Sequence, residues 1–179
     1  MSLNVTIGNM DKVLSELKSY PGEITKVINN EFKVFGIQTA GEAKRLAPVN
    51  EGRLRQSIND VQTDLRISVA ANVNYAPYME FGTKGFAAAY IGSLPADWQE
   101  FASQYKGAGG GTFAEMLRAI KDWVRLKGIA SGKDADQAAY RIAKSILIKG
   151  IRPHPFLYPA YAHQKIELIK NLKSQLNAK

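Results

Sequence analysis

The sequence predicts an α+β fold, in which a small antiparallel β-sheet packs against long N-terminal and C-terminal helices, with a helical insertion between them. Three observations indicate this class. Apolar and polar residues alternate strictly through Arg66–Asn74, which is typical of a half-buried strand. Apolar residues recur every three or four positions through Ile24–Leu46, and a further helical run follows Pro159.

The N-terminal region predicts one strand followed by two helical segments. Residues Leu3–Ile7 alternate between apolar and polar, as a half-buried strand does. Helical spacing follows over residues 9–20, and Pro21 restarts the helix because proline is tolerated only in a first turn. The second segment runs from Ile24 to Leu46 and is stopped by Pro48.

The middle of the chain predicts the sheet. Leu54–Val61 is expected to be a strand of moderate quality, and Arg66–Asn74 the clearest strand of the chain. The short link around Thr63 and Asp64 favours an antiparallel hairpin. The residues Tyr75–Phe81 then predict a brief helical turn, and the glycine that follows relaxes the backbone where the turn ends.

Residues 84–150 are interpreted as an insertion within a single domain of residues 1–179. The stretch Lys84–Thr112 is rich in glycine and has no sustained period, which indicates a long and partly mobile surface loop. Two helices are expected over residues 113–149, the first capped by Thr112. The C-terminal helix opens at Pro159 and runs through the apolar residues Ile166, Ile169, Leu172 and Leu176.

The chain is basic, with a formal net charge of +8, and the excess lies toward its C-terminus. From Arg141 onward eight side chains are basic and one, Glu167, is acidic. Such a region is suited to nucleic acid or to an acidic protein partner. A solvated, lysine-rich helix face is the simpler interpretation, because no stacking aromatic residues are interleaved with the basic ones.

Signatures of enzymes are nearly absent, so no catalytic, cofactor-binding or metal-binding residues are predicted and the protein is expected not to be an enzyme. There is no cysteine, and His154 and His163 are separated by a proline break. The glycines at 107–111 lack the neighbouring lysine and serine of a phosphate-binding loop. Glu80 with Asp60 or Asp64 would suit metal-assisted hydrolysis, but a structural hydrogen bond or ion pair is favoured for Glu80.

Three segments carry recognisable motifs: Ala47–Ile58, Tyr75–Thr83 and Pro153–Ala160. Taken together, in this order and spacing, they resemble the tail-component family of lambdoid siphophages, which are tail-completion or head-to-tail joining proteins. The motif residues that match the family are Pro48, Gly52, Leu54, Arg55, Ser57, Ile58, Tyr75, Ala76, Tyr78, Glu80, Phe81, Gly82, Thr83, Pro155, Phe156, Leu157, Pro159 and Ala160. Glu51 stands where the family usually has threonine, and the stretch from Lys84 to about Gly150 is longer than in many members.

The resemblance implies a structural virion protein of a tailed bacteriophage or prophage, which assembles with itself, as a ring, and with other tail or head–tail connector proteins. It implies a location in the tail or neck of the virion, proximity to phage DNA, and assembly in the host cytoplasm without a membrane. No apolar run approaches the length of a membrane span, and the first residues do not resemble a signal peptide. A basic nucleic-acid-binding module is the alternative, and a hydrolase with a dispersed acidic site is a third, weaker possibility.

Two groups of motif residues each allow more than one interpretation. Phe156 and Leu157, on a segment stiffened by prolines, suit either anchors for a partner or plugs for the domain's own core. Arg53 and Arg55 suit contact with nucleic-acid phosphate, contact with a neighbouring subunit's carboxylate, or an exposed strand face.

Overall fold

A computed structural model of the chain describes residues 3–6, 22–49, 51–63, 65–105 and 112–177. The described elements, in chain order, are β1 (Leu3–Thr6), α1 (Gly22–Leu46), α2 (Arg53–Ser57), β2 (Ile58–Thr63), β3 (Arg66–Ala71), α3 (Ala76–Phe81), α4 (Lys84–Gly92), α5 (Ala96–Ser103), α6 (Phe113–Leu126), α7 (Gly132–Lys149) and α8 (Leu157–Asn177). The chain divides into two compact units: unit 1 comprises residues 1–80 and 154–179, and unit 2 comprises residues 81–153.

The sheet of unit 1 has three strands in the order β1-β3-β2, and both pairings are antiparallel. Val69 of β3 is opposite Val5 on one side and Asp60 on the other. Ile67, Val69 and Ala71 are buried, as the alternation of the sequence predicted. Helices α1 and α8 pack against each other, and α1 also packs on β2 and β3. The fold is therefore α+β, as predicted.

The core of unit 1 forms between α1, β3 and α8. Its buried residues are Ile28, Phe32, Phe35, Leu65, Ile67 and Leu168. The three from α1 follow the helical spacing that the sequence showed. On α8 Leu168 is the buried residue of this cluster and Tyr161 and Leu172 pack against it, whereas Ile166 and Ile169 are 65% and 44% exposed. The apolar residues of α8 surround the helix, so their spacing alone did not identify the buried face.

Two predicted strand boundaries are wrong. The strand expected over Leu54–Val61 begins only at Ile58, because Arg53–Ser57 form a single helical turn. Leu54 and Ile58 are both buried, and a four-residue step places two side chains on one face in a strand and in a helix alike. The strand expected to reach Asn74 ends at Ala71, and residues 73–75 turn into α3.

Unit 2 contains α4, α5, α6 and α7. The α6 and α7 helices pack around Val124, Ala135 and Ala139, all fully buried, and the small alanines allow the two helices to approach closely. Thr112 caps α6 as predicted: its hydroxyl accepts from the Glu115 backbone N–H while the Glu115 carboxylate accepts from the Thr112 backbone N–H.

The loop predicted over residues 84–112 is wrong for its first part, where α4 and α5 form. Three consecutive alanines, Ala87–Ala89, favour a helix, and the glycines of α4 lie near its two ends. Aromatic packing stabilises α5. Trp98 and Phe101 of this helix form a cluster with Phe81 and Tyr105, in which the ring centroids are 5.2–6.5 Å apart. Residues 106–111 are outside the described part of the chain.

The helix predicted over residues 9–20 also lies outside the described residues. Within the described part, the longest helix, α1, has 25 residues. No helix there combines the length and the apolar character that crossing a membrane requires.

Candidate functional site

Glu80 lies at the end of α3, within the second motif segment, and its side chain is fully buried. Its Oε2 accepts hydrogen bonds from the backbone N–H groups of Phe156 and Leu157, each at 2.8 Å, and its Oε1 accepts one from Tyr158 at 2.9 Å. These three residues, at the start of α8, belong to the third motif segment. We call this arrangement the Glu80 cap. It joins two of the three motif segments inside unit 1.

The Glu80 cap satisfies a physical requirement of α8. The first N–H groups of a helix have no partner within the helix and carry a partial positive charge, so a carboxylate is the best acceptor for them. Burial raises the pKa of Glu80 above its ordinary value of 4.5, and the three backbone donors oppose this increase by stabilising the carboxylate. Glu80 therefore makes structural hydrogen bonds, as predicted.

The same segment is tied down by its backbone and by its apolar residues. The backbone N–H of His154 donates to the carbonyl of Met79 at 2.7 Å. Phe156, Leu157 and Ala160 are all fully buried. Phe156 and Leu157 are therefore part of the domain's own core and are not anchors for a partner, because neither side chain is exposed.

Within unit 2, the other end of the second motif makes a separate contact, which we call the Thr83 clip. The backbone N–H of Thr83 donates to the carbonyl of Ile151 at 3.0 Å, and the backbone N–H of Ile151 donates to Oγ1 of Thr83 at 2.7 Å. Gly82 has a φ of +74°, and a Cβ at this position would lie 2.7 Å from the carbonyl oxygen of Ile151. Both the backbone conformation and the close approach explain why glycine stands there.

The first motif segment builds the turn into the sheet. Gly52 has a φ of +79° and its carbonyl accepts from the backbone N–H of Gln56 at 2.9 Å. The hydroxyl of Ser57 donates to the carbonyl of Leu54 at 2.8 Å. These contacts close the single turn of α2 and direct Ile58 into the core. Pro48, which precedes the turn, is half-buried.

The remaining motif residues have different surroundings. Arg53 and Arg55 lie on α2 and not on a strand, and both are exposed; Arg53 pairs with Glu51 at 3.0 Å. Tyr75 is 42% exposed, whereas Ala76 is fully buried. Tyr78, Pro155 and Pro159 are half-buried. Among these motif side chains of unit 1, Arg53, Arg55 and Tyr75 are thus the exposed ones that are available to a partner.

The described residues do not bring acidic side chains or histidines together in a metal-binding group of three or more. Asp60 is exposed on β2, and Asp64 lies outside the described part. Both oxygens of Glu80 are occupied by backbone N–H donors. The converging carboxylates expected of a hydrolase near Glu80 are therefore not found among the described residues.

Sequence reasoning missed a polar link between α1 and α8. Oε2 of Glu42 is 2.8 Å from Nδ1 of His163 and accepts from Nε2 of Gln164 at 2.7 Å. Partial burial alone would raise the pKa of Glu42, but the hydrogen bonds from His163 and Gln164 outweigh it, and the pKa is lowered. The same hydrogen bond, with the negative charge of Glu42, raises the pKa of His163 above 6.5.

A second missed feature is the contact of α1 with β3 at Gly36. A Cβ on Gly36 would lie 2.5 Å from Cδ1 of Ile67 and 2.7 Å from its Cγ1. An isolated glycine in the middle of a helical pattern indicates such a close approach, so this signal was present in the sequence.

Comparison with known proteins supports the resemblance drawn from the motifs. Residues 11–82 match the family model described as "Bacteriophage HK97-gp10, putative tail-component". The match includes the first motif segment and the second as far as Gly82, and the predicted resemblance to phage tail components is confirmed. No curated protein and no solved structure matches the chain.

Proposed function

From the match of residues 11–82 to a family of phage tail components, we propose that the chain is a structural subunit of a tailed bacteriophage or prophage particle. In this proposal it is a tail-completion or head–tail joining protein located in the tail or neck of the virion. It acts by assembling with copies of itself, as a ring, and with the tail or connector proteins on either side. It performs no catalysis.

The proposal depends on the family match, and the Glu80 cap supports extending the proposed role to residues outside that match. The matched residues include α1, α2, β2, β3 and α3. The third motif segment lies outside the match, but Glu80 binds it directly through three backbone hydrogen bonds. The two motif segments that Glu80 joins therefore behave as parts of one folded unit, which supports extending the family's role to α8.

Exposed apolar side chains of unit 1 support assembly between subunits. Val34 and Ile37 on α1 are 41% and 52% exposed, and Val61 on β2 is 59% exposed. β2 is also an edge strand, so one row of its backbone hydrogen-bonding groups lacks a strand partner within the described sheet. When one surface of a subunit binds a different surface of the next, the assembly closes as a ring or grows as a filament.

The experiment that tests the proposal uses cells that produce the phage particle. Disrupting the gene should leave filled heads and tails that fail to join, or tails of abnormal length, in negatively stained lysates. Supplying the intact gene from a plasmid should restore joined particles. Normal infectious particles without the protein would overturn the proposal.

A basic nucleic-acid-binding module is the second candidate, favoured by the net charge of +8. On α8 the exposed Lys165, Lys170 and Lys173 would face the DNA; Lys170 has Glu167 at 3.7 Å, and Lys165 lies over the ring of Tyr161. This candidate predicts salt-sensitive binding of duplex DNA by the purified protein. Replacing the three lysines with glutamate and finding normal assembly and DNA passage would exclude a role of this surface near the genome.

A further inference from the structure

Unit 1 is closed by hydrogen bonds at the two points where the chain leaves it and re-enters it, after Glu80 and at His154. The backbone N–H of His154 donates to the carbonyl of Met79 at 2.7 Å, and the Glu80 cap holds the start of α8. Both partners of each of these bonds belong to unit 1. The bonds therefore need no donor or acceptor from residues 81–153.

Unit 2 is closed near its own two ends. The Thr83 clip joins the beginning of the unit to Ile151 through two hydrogen bonds. The side chain of Lys84 also donates to the carbonyl of Leu147, near the end of α7. Both partners of each bond again lie within one unit. A continuous segment that is held together by its own contacts commonly unfolds as one cooperative unit.

The buried side chains of the two units differ in size. Outside the aromatic cluster around α5, the buried residues in the helices of unit 2 are one valine and three alanines: Val124, Ala135, Ala139 and Ala143. The core between α1, β3 and α8 in unit 1 contains two phenylalanines, two isoleucines and two leucines. Hydrophobic stabilisation increases with the apolar area removed from water, and an alanine removes much less of it than these larger residues do.

Much of the larger apolar surface of α6 and α7 stays in solvent when unit 2 is folded. Leu126, Leu147 and Ile148 are 64%, 52% and 63% exposed. Because unfolding exposes little more of such side chains, they contribute little to the stability of the folded unit. The ion pairs of Asp136 with Lys121 and Arg125, at 3.3 and 3.2 Å, also add little, since all three side chains are partly exposed.

We infer that unit 2 unfolds as a separate cooperative unit, at a lower free energy than unit 1, while unit 1 remains folded. Segments that rearrange on binding belong to the parts of a protein with low local stability. In the proposed particle, unit 2 is thus the part that can change conformation during assembly while unit 1 keeps its structure. This use rests on the proposed function, whereas the separate unfolding of unit 2 does not depend on it.

Native-state hydrogen exchange of the full-length protein tests the inference, measured at guanidinium concentrations below the unfolding transition. The slowest amides of α6 and α7 should converge on one opening reaction as the denaturant concentration rises. The slowest amides of α1 and β3 should converge on a different one. Exchange in α6 and α7 should be faster than in α1 and β3 by about tenfold or more, because their opening leaves unit 1 folded.

Two buried valines provide matched variants, one in each unit: Val124 on α6 is fully buried and Val69 on β3 is 3% exposed. Val124→Ala should accelerate exchange in α6 and α7 by about tenfold or more and leave α1 and β3 unchanged. Val69→Ala should accelerate exchange in α1 and β3 and leave α6 and α7 unchanged. If Val124→Ala unfolds unit 2 altogether, the amides of α1 and β3 should still be protected as in the wild type.

A single opening reaction shared by the slowest amides of both units would overturn the inference. So would slower exchange in α6 and α7 than in α1 and β3, or equal acceleration of both units by either valine substitution. None of these results affects the gene-disruption experiment, so the proposed function and the separate unfolding of unit 2 can fail independently.

Discussion

Glu80 and Phe156 are 76 positions apart in the chain, and a 2.8 Å hydrogen bond joins the carboxylate of the first to the backbone N–H of the second. Through this bond and two others, the end of α3 caps the start of α8. Both residues are fully buried. Glu80 of one motif and the proline-flanked apolar residues of another therefore act together. They fix the C-terminal helix in unit 1.

Replacing Glu80 with glutamine should lower the free energy of unfolding by about 2–4 kcal/mol, because hydrogen bonds to a charged group are the stronger ones and an amide N–H₂ cannot accept from the backbone donors. The measurement is urea-induced unfolding at neutral pH. Glu51→Gln is the matched control, since Glu51 makes an exposed pair with Arg53, and it should change stability by less than about 1 kcal/mol. Equal effects of the two substitutions would contradict the structural role of the Glu80 cap.

Gly36 and Gly41 of α1 should respond in opposite directions to alanine. Nothing lies within 4 Å of a Cβ at Gly41, so Gly41→Ala should stabilise the helix by about 0.5–1 kcal/mol. At Gly36 the methyl group would meet Ile67, and Gly36→Ala should destabilise by about 1–3 kcal/mol. Thermal and urea unfolding will measure both. Ile67→Val should reduce the cost of Gly36→Ala in a double-mutant cycle, because it removes Cδ1; simple additivity would disprove the contact.

The cap of α6 can be compared with the start of α7. Thr112→Ala removes an observed side-chain cap and should destabilise the first turn of α6 by about 1 kcal/mol, seen as faster hydrogen exchange of its amides. Ser131, the residue before α7, makes no side-chain cap hydrogen bond. Ser131→Ala should therefore have a smaller effect on α7. If the two substitutions accelerate exchange equally, the capping box of Thr112 and Glu115 contributes nothing specific.

The link between His163 and Glu42 should make stability depend on pH near neutrality. The pKa of His163 is raised above 6.5 in the folded protein, so the charged imidazole stabilises the folded state fully below the unfolded pKa. This contribution is lost as the pH rises through the raised value. Glu42→Gln should lower the pKa of His163 toward its ordinary value, measured from the ring resonances by NMR.

The matching stability measurement is the melting temperature across the same pH range. His163→Gln should remove the part of the pH dependence that Glu42→Gln also removes, since both break the same pair. His154→Gln, at a residue that makes no contact with Glu42 among the described hydrogen bonds, provides the control. A pH profile that remains unchanged in Glu42→Gln would show that the pair does not act in solution.

Several features of the fold were predictable because they depend on neighbours in sequence. The spacing of Ile28, Phe32 and Phe35 marks the buried side of α1. The alternation around Val69 marks the buried side of β3. Thr112 followed by Glu115 marks the start of α6. In each case the residues that interact, or the residues that share a face, lie within a few positions of each other, so the pattern is visible without the fold.

The boundaries and interpretations that failed are those where short local patterns are ambiguous. Leu54 and Ile58 suit a strand and a helical turn equally well, and packing selected the turn for Leu54. In Lys84–Ser103 the glycines suggested a loop, but the alanines of α4 and the aromatic contacts of α5 favoured helices. The resemblance to the family depended on the order of the motifs, which is visible in the sequence. The structural roles of the motif residues were not visible there.

By itself the sequence determined the α+β class, the course of α1, α6 and α7, the basic charge and the resemblance to phage tail components. Only the tertiary structure decided what Glu80 binds, that Phe156 and Leu157 serve the core, and that Gly36 lies against Ile67. The physical reason is distance along the chain. Periodicity and capping act within a few residues, whereas a buried carboxylate finds its donors only after the intervening chain has folded.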